Sequence, residues 1–152
     1  MQLAPASPVS APSPWAAMPG APPIAACADP AFDLIAAKRA ADVAHCEAID
    51  AQAEAETKYG IRSEEAAEAD DRCFAACQVV SDVDWDLART PPTTLAGVAA
   101  VLRFANDIED SGMEWPDTDI IGPDGWHFQL RTTMAQAIEA LIKTPAGKAV
   151  LS

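Results

Sequence analysis

The chain has 152 residues, with 23 acidic and 10 basic side chains and a formal net charge of −13. This length fits a single domain. So acidic a chain repels phosphate, which argues against a broad nucleic-acid-binding face. No stretch approaches the roughly 18 uncharged apolar residues of a membrane span. Abundant alanine and an aromatic content of only 6% disfavour an all-β fold and predict an all-α protein.

The first 28 residues differ in composition from the rest of the chain. They carry no charged side chain and seven prolines. Because proline at this density interrupts helices and strands, residues 1–28 are predicted to be a disordered Ala/Pro-rich tail. A secretory signal needs a positive N-terminal region, where this chain has Gln2, and an unbroken apolar core. We therefore expect a cytoplasmic protein with one helical domain over 29–144 and a frayed tail over 145–152.

Two long helices are predicted in the acidic segment that follows, at about 30–58 and 63–88. Asp29 is placed to cap the first, with Pro30 in its first turn, where a missing N–H costs little. Gly60 marks the turn between them, and Ser63 is placed to cap the second helix. The first helix is imperfectly amphipathic, and its predicted apolar face is formed by Phe32, Ile35, Val43, Cys46 and Ala53.

The second helix has the clearest pattern in the chain. Apolar residues alternate at spacings of three and four, at Ala66, Ala69, Cys73, Ala76, Val80, Val83 and Leu87. This spacing is typical of coiled-coil packing. The partner is either the first helix, folded back as an antiparallel hairpin, or a second copy of the chain, and the short glycine-containing turn favours the hairpin. Contacts with a protein partner or a second copy are predicted for Cys73, Val80, Val83 and Leu87.

Two shorter helices are predicted at about 94–110 and 124–143. Thr93 or Thr94 caps the first of them, and Gly97 within it indicates close approach of a neighbouring element. Asp124 is the predicted cap of the last helix. The packed end of the molecule is predicted to hold Phe32, Ile35, Val83, Leu87, Leu95, Leu102, Trp126 and Leu130. The Ala-rich acidic tip of the hairpin should protrude as a thin pair of helices, since alanine buries little apolar surface.

Three segments carry a family resemblance: Asp-Pro-Ala-Phe at 29–32, Thr-Pro-Pro-Thr-Thr-Leu-Ala-Gly and its continuation at 90–104, and Asp-Gly-Trp-His at 124–127. Together they resemble small uncharacterised proteins of alphaproteobacteria, some of them linked to phage or mobile elements. The segment at 90–97 is the most specific part. The resemblance implies a helical, bacterial, cytoplasmic protein and carries over no catalytic residue.

The cysteines allow three interpretations. In a hairpin that turns at Gly60, Cys46 and Cys73 come level, and Cys77 lies one turn from Cys73. Three thiolates with a histidine, His45 or His127, would make a four-ligand zinc site. A Cys46–Cys73 disulfide is the second interpretation and needs an oxidising compartment. The third, which the lack of paired C-x-x-C spacing favours, is that the cysteines are small apolar core residues.

No motif in the sequence indicates catalysis or a cofactor. The acidic runs lack the spacing of calcium loops, and neither a G-x-S-x-G turn nor a glycine-rich phosphate loop occurs. Asp-Gly-Trp-His at 124–127 is either a surface cluster or a helix start with a core tryptophan. The sequence thus predicts a non-enzymatic protein that acts through protein–protein contacts. The alternative is a metal-binding or redox module that uses Cys46, Cys73 and Cys77.

Overall fold

The computed structural model describes residues 29–144, so both predicted tails lie outside the described residues. The described chain is all-helical and contains α1 (Pro30–Tyr59), α2 (Glu64–Arg89), α3 (Leu95–Asp110) and α4 (Trp126–Lys143). The predicted all-α class is confirmed, and each helix begins and ends within two residues of its predicted bounds.

Helices α1 and α2 form an antiparallel hairpin. Near its base, Lys38 Nζ lies 3.2 Å from Asp84 Oδ1, and nearer the turn Gln52 Nε2 donates to Asp70 Oδ1 at 3.0 Å. The two contacts are 14 residues apart on both helices, in opposite directions, so the register is constant along the pair. Gly60 ends α1 with φ +92°, a conformation that side-chain-bearing residues rarely adopt. The hairpin turn therefore sits where the sequence places it.

The inward row of α2 matches its predicted pattern. Ala66, Ala69 and Leu87 are buried, and the members between them are half-buried at Cys73, Ala76, Val80 and Val83. We call this row, together with the residues of α1 that face it, the seam. Because alanine occupies most of the seam near the turn, the two helices pack there with little apolar side-chain volume.

Only Ile35 of the predicted apolar face of α1 is buried, and the other four members are exposed. Phe32 and Val43 are 50% and 58% exposed, and Cys46 is exposed as well. The α1 side of the seam instead mixes alanine with polar residues: Lys38 and Ala41 are buried, and His45, Ala48 and Gln52 are half-buried. Lys38 pairs with both Asp42 and Asp84, and this pairing offsets part of the cost of removing the charges from water. Apolar periodicity along α1 alone cannot reveal a row that is buried by ion pairing.

Helices α3 and α4 cover the base of the hairpin and enclose the apolar core. Its members are Ala31, Ile35, Leu87, Ala88, Val98, Val101, Phe104, Ala105, Trp115, Trp126, Leu130, Met134 and Ala137. Two predicted members on α3 are wrong, since Leu95 and Leu102 are 64% and 40% exposed. The helix is rotated because its buried Gly97 lies against the carboxylate of Asp29, where a Cβ would clash. This contact also explains the glycine that the sequence associates with close approach.

The predicted cap of α4 is also wrong. The helix begins at Trp126, its N-cap is Gly125, and no side chain caps it. A Cβ at Gly125 would clash with the carbonyl oxygen of Ile120, so only glycine fits where the chain enters the helix. Asp124 is exposed one residue earlier.

The hairpin projects well beyond this base. At 1.5 Å per residue, α1 is about 45 Å long. Tyr59 and Ile61 at the turn are 49% and 79% exposed, and the buried seam residues nearest to it on α2 are Ala66 and Ala69. The molecule is therefore elongated, with a packed base and a thin tip.

Candidate interaction surface

The geometry of the base starts from Asp29, which fixes two helices at once. Its Oδ1 accepts the N–H of Ala31 at 3.0 Å and so caps α1. Its Oδ2 accepts the N–H groups of Thr93 and Thr94 at 3.1 and 2.8 Å and the hydroxyl of Thr94 at 2.6 Å. Thr94 Oγ1 in turn accepts the N–H of Gly97 and caps α3. One carboxylate therefore sets where α1 and α3 begin relative to each other.

The charge state of Asp29 follows from these contacts. Burial alone would raise the pKa of this carboxyl group. The Thr94 hydroxyl and the N–H groups of Ala31, Thr93 and Thr94 outweigh burial and hold the pKa below its ordinary value of 3.8. The group is therefore a carboxylate throughout the neutral pH range.

A second polar cluster lies inside the base, where Lys38 and Asp84 are only 3% and 5% exposed. The Asp84 carboxyl is desolvated and has Asp42 nearby, and these effects exceed the attraction of Lys38, so its pKa rises to about 6. Asp84 Oδ1 has Lys38 as an ion-pair partner at 3.2 Å, although the angle of this contact is not that of a hydrogen bond. Sequence reasoning missed this cluster, and its one signal was the i, i+4 spacing of Lys38 and Asp42.

Aromatic side chains close the base over that cluster. Trp115 and Trp126 stack with ring centroids 4.2 Å apart and planes inclined by only 3°. Trp126 Nε1 donates to the carbonyl oxygen of Asp84 at 2.7 Å, and Lys38 Nζ lies 5.7 Å from the centroid of Trp115. The segment 124–127 thus supplies a core tryptophan, while His127 lies 3.7 Å from Glu109 near the surface.

One side of the hairpin is covered at the base and open beyond it. The residue that directly follows a seam residue is rotated from it by about 100° around the helix axis. Because the two helices are antiparallel, these residues lie on the same side of the pair on both helices. At the base these positions hold Ile35, Asp84 and Ala88, all buried beneath α3 and α4.

Farther along the hairpin, the same positions carry exposed apolar side chains. We call this surface the hairpin flank, and it consists of Cys46, Ile49, Phe74 and Cys77. Phe74, the largest of them, is 66% exposed, and Ile49 is 46% exposed. The constant register places Ile49 and Phe74 within one residue of the same level. These side chains leave apolar surface open to solvent on one side of an acidic helical pair.

The three predicted metal or redox residues fall in the same part of the hairpin. Cys46 and Cys77 are exposed on the hairpin flank, while Cys73 is half-buried in the seam. All three are free thiols. Among residues 29–144, no group of three or more histidine, cysteine, aspartate or glutamate side chains is arranged to hold a metal ion.

The predicted interaction residues are not all accessible. Leu87 is 1% exposed within the chain's own core, so it has no surface to offer a partner. Cys73, Val80 and Val83 are half-buried where the two helices meet. The exposed residues are Phe74, which follows Cys73, and Cys77, which follows Ala76, and the heptad pattern alone does not single them out. Their signal in the sequence is an apolar residue that directly follows a seam position.

A second apolar feature lies at the C-terminal end of α4, whereas Trp126 lies at its N-terminal end. It is a depression of about 480 Å³ between the loop before α3 and the last two turns of α4. Its lining includes Pro91, Pro92, Ala137 and Leu141, together with Thr93 and Thr144.

None of the described helices is long and apolar enough to cross a membrane.

Comparison with protein-family models, with curated proteins and with solved structures gave no significant match to this chain. The family resemblance carried by the segment at 90–97 therefore stays a prediction. In the structure that segment contains Thr93, Thr94 and Gly97, the residues that surround the carboxylate of Asp29.

Proposed function

We propose that this protein is non-enzymatic and acts through protein–protein contacts made by its helical hairpin. The observation that carries the proposal is the hairpin flank, whose apolar side chains are exposed although those at the equivalent positions of the base are buried. Exposing a large apolar side chain to water forgoes about 1.5–3 kcal/mol relative to burying it. A partner that covers this surface recovers that free energy.

The remaining features of the molecule agree with a binding role. Three polar groups buried at the base hold its helices together. Asp29 joins the start of α1 to the start of α3, and Lys38 of α1 pairs with Asp84 of α2. None of the three lines the depression beside the end of α4 or the two depressions near His127.

The test is photo-crosslinking in the organism that produces the protein. A photoreactive residue at Phe74 on the hairpin flank should give a discrete covalent adduct with a partner protein, because that side chain is open to solvent. The matched control is Val79, which is 52% exposed and precedes a seam residue by one position, so it lies on the opposite side of the hairpin.

An adduct from position 74 and none from position 79 supports the proposal. No adduct from 74, or the same adducts from both positions, contradicts it. Sedimentation of the purified full-length chain then separates the two classes of partner, because an adduct made between copies of this chain requires self-association that rises with concentration.

A further inference from the structure

We infer that the partner element that docks on the hairpin flank is a basic amphipathic helix. This inference rests on the proposed function and adds the chemistry of the partner. It combines two independent observations, the shape of the open surface and the distribution of charge along the hairpin.

The shape argument comes from the base of the same molecule. There α3 and α4 already pack onto this side of the hairpin, over Ile35 and Ala88. Arg39, which also follows a seam residue, lies 5.3 Å from the ring centroid of Phe104 on α3. From Cys46 to Ala53 on α1, and from Cys77 to Ala67 on α2, the positions that follow the seam form one row of exposed side chains on each helix. This surface therefore fits another helix.

The length of the open surface fits a short helix. On α1, the exposed positions that follow a half-buried seam residue run from Cys46 to Ala53, a distance of about 10 Å at 1.5 Å per residue. A helix of about ten residues is long enough to cover that distance and presents two to three apolar side chains at i, i+3 and i+4 spacing. Phe74 and Ile49 lie at nearly the same level on the two helices and would contact such side chains.

The charge argument selects a basic partner over a second copy. The hairpin, residues 29–89, contains 15 acidic and six basic side chains, and no lysine or arginine lies between Ala40 and Thr57 on the α1 side of the flank. Asp70 lies on the flank itself, one position after the buried Ala69, and Asp50 directly follows Ile49. Two copies packed on this surface would bring like charges together, whereas lysine and arginine beside an apolar stripe would pair with them.

The experiment uses the full-length chain and a synthetic helix of about 14 residues that carries leucine at i, i+3, i+4 and i+7 and lysine on both flanks. Binding is measured by fluorescence anisotropy at several salt concentrations. Two control peptides are used: one has the same composition in scrambled order, and the other has glutamate in place of lysine.

The amphipathic lysine peptide should bind, with an affinity that falls as salt rises. Neither control should bind comparably. Phe74→Ser should weaken binding at least about tenfold, since the contact of a buried phenylalanine is lost. Ile49→Ser should act in the same direction, which keeps the test valid if one variant alone misfolds. Val79→Ser, on the opposite side of the hairpin, should change the affinity by less than about twofold.

Three results would overturn the inference. The first is equal binding of the scrambled peptide, and the second is unchanged binding by both Phe74→Ser and Ile49→Ser; either makes the attraction one of charge alone. The third is self-association of the full-length chain that Phe74→Ser abolishes, which assigns the surface to a second copy. If position 74 crosslinks to a partner with no basic helix, the inference fails while the proposed function stands.

Discussion

The base and the tip of the hairpin are built from the same two helices but are held together in different ways. At the base, α1 and α2 share a core with Trp115, Trp126 and Leu130 and a buried ion pair. Toward the tip the seam is mostly alanine, and an exposed hydrogen bond from Gln52 to Asp70 joins the helices. We conclude that the base supplies the stability of the fold, whereas the tip is extended surface whose position the base determines.

The largest difference between base and tip should follow loss of Trp126. This side chain is completely buried, stacks on Trp115 and donates to the carbonyl oxygen of Asp84. Trp126→Ala should lower the free energy of unfolding by about 3–5 kcal/mol, measured by urea denaturation. The tip control, Ile61→Ala at a position 79% exposed, should stay within about 0.5 kcal/mol of wild type. Equal effects at both positions would contradict the comparison.

Removing the buried cation should have the next largest effect. Lys38→Met leaves Asp84 in the base without its opposite charge, which should cost about 3 kcal/mol or more near neutral pH. The double variant Lys38→Met, Asp84→Leu removes both charges and should regain most of that loss, because paired buried charges are often replaceable by apolar residues. A single variant as stable as wild type would show that the pair is not desolvated.

The pH dependence of stability should also originate in the base. The pKa of Asp84 is about 6 in the folded protein and 3.8 ordinarily, so between these values the folded state binds more protons than the unfolded state. The contribution is fully present below about pH 4 and is lost as pH rises through 6, by on the order of 3 kcal/mol.

Asp84→Asn should flatten the stability profile between pH 4 and 7, while Asp82→Asn, at an exposed position of the same helix, should leave its slope unchanged. Asp29 has the opposite sign, because its lowered pKa gives stability that is present above about pH 4 and lost as pH falls further. A profile in which Asp84→Asn keeps the wild-type slope above pH 4 would contradict this assignment.

The smallest effects are expected when a helix cap is removed. The cap of α1 at the base is compared with the cap of α2 at the tip. Asp29→Ala should cost about 2 kcal/mol, since it removes the α1 cap and also leaves N–H groups of Thr93 and Thr94 without an acceptor. Ser63→Ala at the tip removes one bond to the N–H of Ala66 and should cost about 1 kcal/mol. Thermal unfolding of both variants measures the difference, and a larger loss for Ser63→Ala would reverse our ranking.

Much of the fold could be predicted from local sequence because its signals are local. Proline, glycine and capping residues mark the helix ends, and the α2 row has a regular period that identifies its inward face. Thr94 and Ser63 cap their helices through bonds that span three residues, which the sequence alone can indicate.

The errors arise where a long-range contact decides the outcome. The inward face of α1 follows from the pairing of Lys38 with Asp84, 46 residues away, and the rotation of α3 follows from the contact of Gly97 with Asp29. The hairpin flank was missed for a related reason. Whether Phe74 is covered depends on how far α3 and α4 extend along the hairpin, and no pattern within α2 contains that information.

Both ends of the described body lie beside Thr93. Asp29 accepts the N–H of Thr93, and Thr93 and Thr144 line the same depression beside α4. Residues 29–144 thus begin and end at the base, and Gly60 at the turn lies farthest from it. A circularly permuted chain, joined across the base and opened at the exposed turn, would preserve every helix and interhelical contact described above.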